Sequence, residues 1–432
     1  MDGFDAEAVA VIAVCFVMWG LVSARFERAN VSAPIAFVAL GLVLANGPVT
    51  LIDINVRSEG LRTIAEVTLA LVLFADASRV NVRALRSDPG IPTRLLGVGL
   101  PLTIGLGTLV ALITFGGIDP WIAAVIAAAV APTDAALGAA IVEDRRVPRR
   151  IRRVLNVESG VNDGIATPFV TFFIAGAAES TAHGGTTLGS ALSELGIGVM
   201  AGVIVGIAGG VLLSLAARHG WGAPGFRPVA VAALALLAYA GALEVSGNGF
   251  VAAFVAGMVF GTTFRRDDVG VLSFTDDIGT LMSLLVWFLF GAAMIVPAFE
   301  HARWADAVFA ILSLTLVRMA PVAIALAGSG LSRRTVAFVG WFGPRGLASV
   351  IFALLAFDAL ASVDGFAVLA AVTITVLLSV VAHGVTASPL ARRYGRHAGG
   401  LHESRPEHGP AAELRTRRHA RSTSGPAPDA IA

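Results

Sequence analysis

The sequence predicts an all-α polytopic membrane protein, and three observations carry that prediction. Only 14% of the 432 residues are charged while 56% are hydrophobic, against about 25% charged in a soluble domain; mean hydropathy is +0.80. Apolar stretches of about 20 residues recur along most of the chain, the length an α-helix needs to cross a bilayer, whereas a barrel would show shorter alternating segments. Arginines gather in every second loop between those stretches, as expected of a chain oriented by positive charge. The net charge of +1 decides nothing, because location rather than total orients a membrane protein. The single cysteine, Cys15, lies in an apolar run, which excludes a disulfide framework and a cysteine metal site.

About thirteen spanning helices are predicted, roughly at 8–24, 32–50, 60–78, 92–116, 119–141, 154–178, 188–217, 227–243, 247–263, 277–296, 304–327, 333–357 and 365–390. The N-terminus reads MDGFDAEA, acidic where a secretory signal is basic, so the first helix is expected to be retained. Arg25 and Arg28 follow the first helix, Arg79, Arg83, Arg86 and Arg94 the third, and six arginines between 145 and 153 the fifth. Arg218 and Arg227 follow the seventh, Arg265 and Arg266 the ninth, Arg333 and Arg334 the eleventh, and Arg392, Arg393 and Arg396 the last. This alternation predicts an external N-terminus, a cytoplasmic C-terminus and an odd number of helices. Loop 142–153 either only determines topology or also lies along anionic headgroups. Residues 1–390 are read as the transmembrane domain and 391–432, rich in Pro, Gly, Ser, His and Arg, as a disordered cytoplasmic tail. No nucleotide motif is visible, so neither nucleotide nor nucleic acid is an expected partner; membrane lipid is.

The stretch from Ala131 to Pro168 concentrates the chemistry. It holds Asp134, Glu158 and Asp163 with Thr133, Ser159 and Asn162 beside them, and ionisable groups at bilayer depth are functional candidates by default. Ser159 and Asp163 are four residues apart and share a helix face, with Glu158 and Asn162 on the adjoining stripe. Carboxylate, hydroxyl and carbonyl oxygens are the hard donors a dehydrated alkali cation prefers. Burial favours the protonated acid and a bound cation favours the carboxylate, so Asp163 is expected to hold either H+ or a monovalent cation. The predicted Na+ ligands are Asp163, Ser159 and Thr133, within a cation- and proton-binding set that also takes in Asn162, Asp134 and Asp76; no resident cofactor is expected. The bland reading makes the same residues interhelical hydrogen-bond glue.

Two helices are predicted to be broken. Pro132 removes a backbone donor in A-P-T-D of helix five, so a break near Ala131–Thr133 would expose carbonyls, with Asp134 opening the second half and offsetting its positive end. Helix twelve is interrupted by Gly343, Pro344, Arg345 and Gly346; Arg345 would offset the negative end of a half-helix. The alternatives are a proline kink with an Asp cap, and a re-entrant loop whose arginine reaches water. Arg318, in the middle of helix eleven, requires an anion, and Glu158 is the expected partner. Asp76 ends the apolar run of helix three and is read either as a further oxygen ligand or as an interfacial residue. Glu66, Glu244 and Asn248 are read as helix-end or loop residues.

At these residues the chain resembles the NhaP-type sodium/proton antiporters, kin to the animal sodium/proton exchangers, over nearly all of about 8–390. Thr133–Asp134 matches the T-D pair of helix five, and Glu158, Ser159, Asn162 and Asp163 match the signature E-S-x-x-N-D of helix six. Arg318 falls where the family carries an arginine paired with that glutamate, Arg345 matches the arginine of the unwound helix twelve, and Asp76 matches an acidic residue of helix three. Gly160, Val161 and Pro344 depart from the usual pattern. The resemblance implies inverted repeats with helices five and twelve crossed, a core of helices about 92–178 and 304–390, the remaining helices as dimerisation scaffold, and a homodimer. It also implies electroneutral exchange of one Na+ or Li+ for one H+ by alternating access in the cell (inner) membrane. K+/H+ exchange on the same fold is the competing reading. A cation channel and an intramembrane aspartyl protease using Asp134 and Asp163 are the remaining classes; no G-x-G-D pattern supports the protease.

Overall fold

The computed structural model describes residues 6–28, 31–48, 50–79, 90–134, 137–181, 188–264, 270–360, 362–402 and 404–409. Arg83, Arg86, Arg265, Arg266 and the tail beyond 409 lie outside the described residues. Those residues form helices and no strand. In chain order they are α1 (Ala6–Arg28), α2 (Ala33–Asn46), α3 (Glu59–Arg79), α4 (Gly90–Phe115), a discontinuous α5 (α5a Pro120–Ala129, α5b Ala139–Val142), α6 (Arg149–Thr181) and α7 (Leu188–Arg218). There follow α8 (Arg227–Glu244), α9 (Gly249–Thr263), α10 (Ser273–Glu300), α11 (Trp304–Ala325), a discontinuous α12 (α12a Arg333–Trp341, α12b Leu347–Ala359) and α13 (Ser362–Gly399). Eight of the described helices are long and apolar enough to cross a membrane, and four more are shorter apolar helices.

Local chemistry explains the helix starts. Asp119 accepts the Trp121 N–H at 2.7 Å and Pro120 follows it, so α5a opens with a side-chain cap and a residue that has no donor to leave unpaired. Asn248 caps α9 by accepting the Val251 N–H at 3.0 Å, and Ser332 caps α12a by accepting the Thr335 N–H at 3.2 Å. Single π turns, Leu95–Gly99 in α4 and Phe290–Met294 in α10, sit just before Pro101 and Pro297 and accommodate the missing donors there.

Packing against neighbours follows the rule for helices in lipid, where small residues let backbones approach. Gly198, Gly202 and Gly206, one turn apart on α7, face α9 so closely that a Cβ would lie 2.6–2.7 Å from the carbonyl oxygens of Asn248, Ala252 and Ala256. Elsewhere α5a packs on α4, α6, α12b and α13, and α11 packs on α4 and α13. Residues 122–133 and 342–354 are buried without interruption, as expected of helices apolar on all sides. The two interrupted helices therefore lie at the centre of the protein.

One expectation is corrected. The chain does not lose structure at 391: α13 continues to Gly399, with Tyr394 stacked on Phe338 of α12a at 4.1 Å between ring centres. The chain then folds back. Glu407, fully buried, accepts the Ser332 N–H and the Thr335 hydroxyl, each at 2.7 Å, and Arg150 donates to Pro406 O at 2.6 Å. A polar composition argues for disorder only when nothing fixes the polar groups. Here the start of α12a, with its unpaired N–H groups, supplies the anchor.

Candidate functional site

The site grows from the way the two broken helices satisfy one another. α5a stops at Ala129, and the next described helix begins at Ala139. Asp134 thus lies in the crossing itself. Its N–H donates to Pro344 O at 2.7 Å, and its carboxylate accepts the Leu347 N–H at 3.0 Å and the Leu137 N–H at 3.3 Å. Leu347 is the first residue of α12b, so Asp134 caps the positive end of the partner helix as well as its own turn. In return the Arg345 guanidinium, fully buried, donates to Ala131 O and to Pro132 O at 3.2 Å, the carbonyl end of α5a. Each broken helix carries the charge that neutralises the other.

Glycines make this approach possible. A Cβ on Gly346 would overlap the Asp134 carboxylate, and one on Gly343 would lie 2.6 Å from Arg318 Nε and 3.0 Å from the Thr133 methyl. Only a residue without a side chain fits at either position.

Arg318 reaches past Gly343 to Glu158 on α6, with Nη1 and Oε1 2.6 Å apart and side chains 5% and 3% exposed. One turn beyond Glu158 on α6, Asn162 Nδ2 donates to Thr133 Oγ1 at 2.7 Å, and Thr133 Oγ1 and Ser159 Oγ share a hydrogen bond of 3.0 Å. Thr133, 1% exposed, is the hub through which the α5 break touches α6. Asp163 stands one turn beyond Ser159. Its Oδ1 is buried without a hydrogen-bond partner among the described residues, and so is the carbonyl oxygen of the Asn162 side chain. Unsatisfied buried oxygens of this kind are rare and call for an explanation in the ligand or proton they would hold.

Asp76 acts on this site from further away. With Asp134 it is one of the charges acting on Asp163, but its carboxylate pairs with Arg79 at 3.1 Å, and Arg79 also reaches Asp276 of α10. Among the described residues no three His, Cys, Asp or Glu side chains converge as a metal cage. Glu66 receives Arg62 and the Tyr239 hydroxyl, both at 2.7 Å. The basic loop is partly internal: Arg152 donates to Val147 O and Val142 O, both at 3.2 Å, and Arg146 grips Asp144 and holds its carboxyl below the usual range.

Sequence reasoning missed two residues here, Ser379 and His383 of α13. Ser379 Oγ accepts the Arg345 N–H at 2.7 Å, and the His383 ring lies 2.8 Å from Trp341 O. Their signal was present, a polar pair four apart in the apolar run TITVLLSVVAHGV.

The family described as sodium/hydrogen exchanger, transmembrane, matches residues 11–393. The chain belongs to that family and is a multi-pass membrane protein. It is 26% identical over 391 residues to a K(+)/H(+) antiporter NhaP of Alkalimonas amylolytica, across 89% of this chain and 66% of that protein. It is 30% identical over 254 residues to a Na(+)/H(+) antiporter of Schizosaccharomyces pombe, across 54% of this chain and 53% of that one. This chain therefore spans about two thirds of the length of the first relative and about half of the second. Its fold is similar to that of the sodium proton antiporter MjNhaP1 from Methanocaldococcus jannaschii, at a TM-score of 0.75 and 18% identity, covering 90% of this chain and 98% of that one.

Proposed function

We propose that this chain is a secondary active antiporter in the cell membrane that exchanges Na+ or Li+ for H+ by alternating access, with cation and proton competing for Asp163. The observation that carries the reading is the buried, unpartnered Oδ1 of Asp163 beside the Thr133–Ser159–Asn162 network. A carboxylate so placed is stabilised by a proton or by a cation, and the two exclude one another. Thr133 and Ser159 supply neutral oxygens for the cation, Asn162 holds Thr133 in place, and Asp76 and Asp134 add negative field. Glu158 is neutralised by Arg318, which leaves one titrating carboxylate and so one H+ for one monovalent cation. The ion gradient is the only energy source the cycle uses; no cofactor, nucleotide or chemical step enters it. The N-terminus outside, the C-terminus in the cytoplasm and a homodimer complete the reading.

A second reading keeps the mechanism and exchanges K+ for H+; the similarity to the K(+)/H(+) antiporter of Alkalimonas favours it. Exchange in proteoliposomes, followed by dequenching of a pH dye on addition of Na, Li or K salts, separates the two. The expected profile is bell-shaped in pH, since protons compete at low pH and become scarce at high pH. Asp163→Asn is expected to abolish exchange without creating a leak. Cation flux that survives this substitution, or a flat pH profile, removes the shared-carboxylate mechanism.

A further inference from the structure

The break in α12 leaves backbone groups without helical partners on both sides, and one face of α13 receives them. Trp341 is the last residue of α12a. Its carbonyl accepts Gly343 N–H at 2.9 Å within the turn and faces His383 Nε2 at 2.8 Å. Its indole Nε1–H donates to Thr386 Oγ1 at 3.0 Å. Across the break, the Arg345 N–H donates to Ser379 Oγ. His383 Nδ1 lies 2.8 Å from Ser379 O and 3.1 Å from Ser379 Oγ, so Ser379 and His383, one turn apart and 0% and 4% exposed, form one unit. This unit holds the residue that ends α12a and the residue whose guanidinium caps α5a at Ala131 O and Pro132 O. The next residue of α5 is Thr133, the hub of the cation site.

We infer that His383 and Ser379 are positioning residues for the cation: they clasp the α12 break so that Arg345 holds the α5 break, and through it Thr133, in register with Ser159. Neither residue touches the cation. The charged groups whose field reaches the His383 ring are Arg345 from the break and Arg318 from α11, the latter paired with Glu158 of α6. The clasp therefore acts through hydrogen-bond geometry, and a ring that keeps its shape but loses both nitrogens should fail. Groups that orient the ligands of an ion, rather than binding it, typically carry about 10–100-fold in affinity or activity.

This inference rests on the antiporter reading above, and the test separates the two. Proteoliposomes containing wild type, His383→Phe, His383→Gln, Ser379→Ala or Thr386→Val are assayed for Na+- and K+-driven dequenching, normalised to folded protein. Wild-type exchange reports on the antiporter reading alone. If it is present, His383→Phe and Ser379→Ala are expected to raise the half-saturating cation concentration about 10-fold, and the double variant to do no worse than either, since both break one clasp. His383→Gln, which keeps an N–H for Trp341 O, is expected to recover at least half of the shift on a logarithmic scale. Thr386→Val frees the indole and removes a bond within α13 to Ala382 O, leaving the His383 and Ser379 contacts in place, and should leave the half-saturating concentration within about twofold. Should His383→Phe fail to fold, the small change Ser379→Ala still decides. A wild-type half-saturating concentration in Ser379→Ala, or a loss confined to maximal rate in both variants, overturns the inference.

Discussion

The Glu158–Arg318 pair offers the sharpest test of how the site is held together. The two side chains are 3% and 5% exposed and meet at 2.6 Å, while Nε and Nη2 of Arg318 find no hydrogen-bond partner among the described residues. Glu158 is thus the one acceptor that compensates the buried guanidinium. Glu158→Gln leaves an unpaired cation in the interior, a change worth about 3–5 kcal/mol, and Arg318→Gln leaves an unpaired anion at a similar cost. Removing both charges removes the penalty that each leaves behind. The double variant is therefore expected to be less destabilised than the sum of the two by at least about 2 kcal/mol. Reversible unfolding in mixed micelles, followed by helix content, measures all four corners of the cycle. Two additive losses, or single losses under about 1 kcal/mol as for an exposed pair, would refute the claim that one buried charge requires the other.

Further tests probe the crossing and the C-terminal segment. Gly346→Ala must displace the Asp134 carboxylate, losing its cap on Leu347 and overpacking the crossing. It should cost about 2–4 kcal/mol and most of the exchange activity. Gly160→Ala, on the site helix but with nothing within 4 Å of the new methyl, should stay within about 0.5 kcal/mol in the same unfolding assay. For Glu407, burial alone would raise the carboxyl, but hydrogen bonds from Ser332 and Thr335 outweigh it and hold the value below the ordinary glutamate range. Its contribution to docking is therefore complete above about pH 4.3 and disappears as pH falls through the lower, docked value. Hydrogen exchange of residues 400–409 should be protected at neutral pH and lose protection only in acid, whereas in Glu407→Ala it should be fast at every pH. Protection that persists in that variant would show that another contact anchors the segment.

Much of this protein is legible along the chain because lipid is an unforgiving solvent. Hydropathy marks each helical stretch, since a backbone in hydrocarbon must satisfy itself. Buried charges are few enough that Arg318 points to Glu158, and proline or glycine in an apolar run marks both breaks. What periodicity does not show is which helix answers the breaks. Asp134 reads as a cap for its own half-helix, yet it also caps α12b, 213 residues away in sequence. Among the described residues the helix after it is Ala139–Val142. Asp76 reads along the chain either as a ligand or as an interfacial residue, and that it shares Arg79 with Asp276 of α10 is visible only in the fold.

The sequence by itself determined the class of protein, its helical stretches, the breaks and the set of polar groups that must lie in the membrane, because each follows from the cost of placing a local group in lipid. Tertiary structure alone decided the exchange of caps between α5 and α12, the clasp from α13 and the return of Glu407 to the start of α12a. Those depend on unpaired backbone groups finding partners from 34 to 214 residues away, and only the folded packing brings such partners within hydrogen-bond reach.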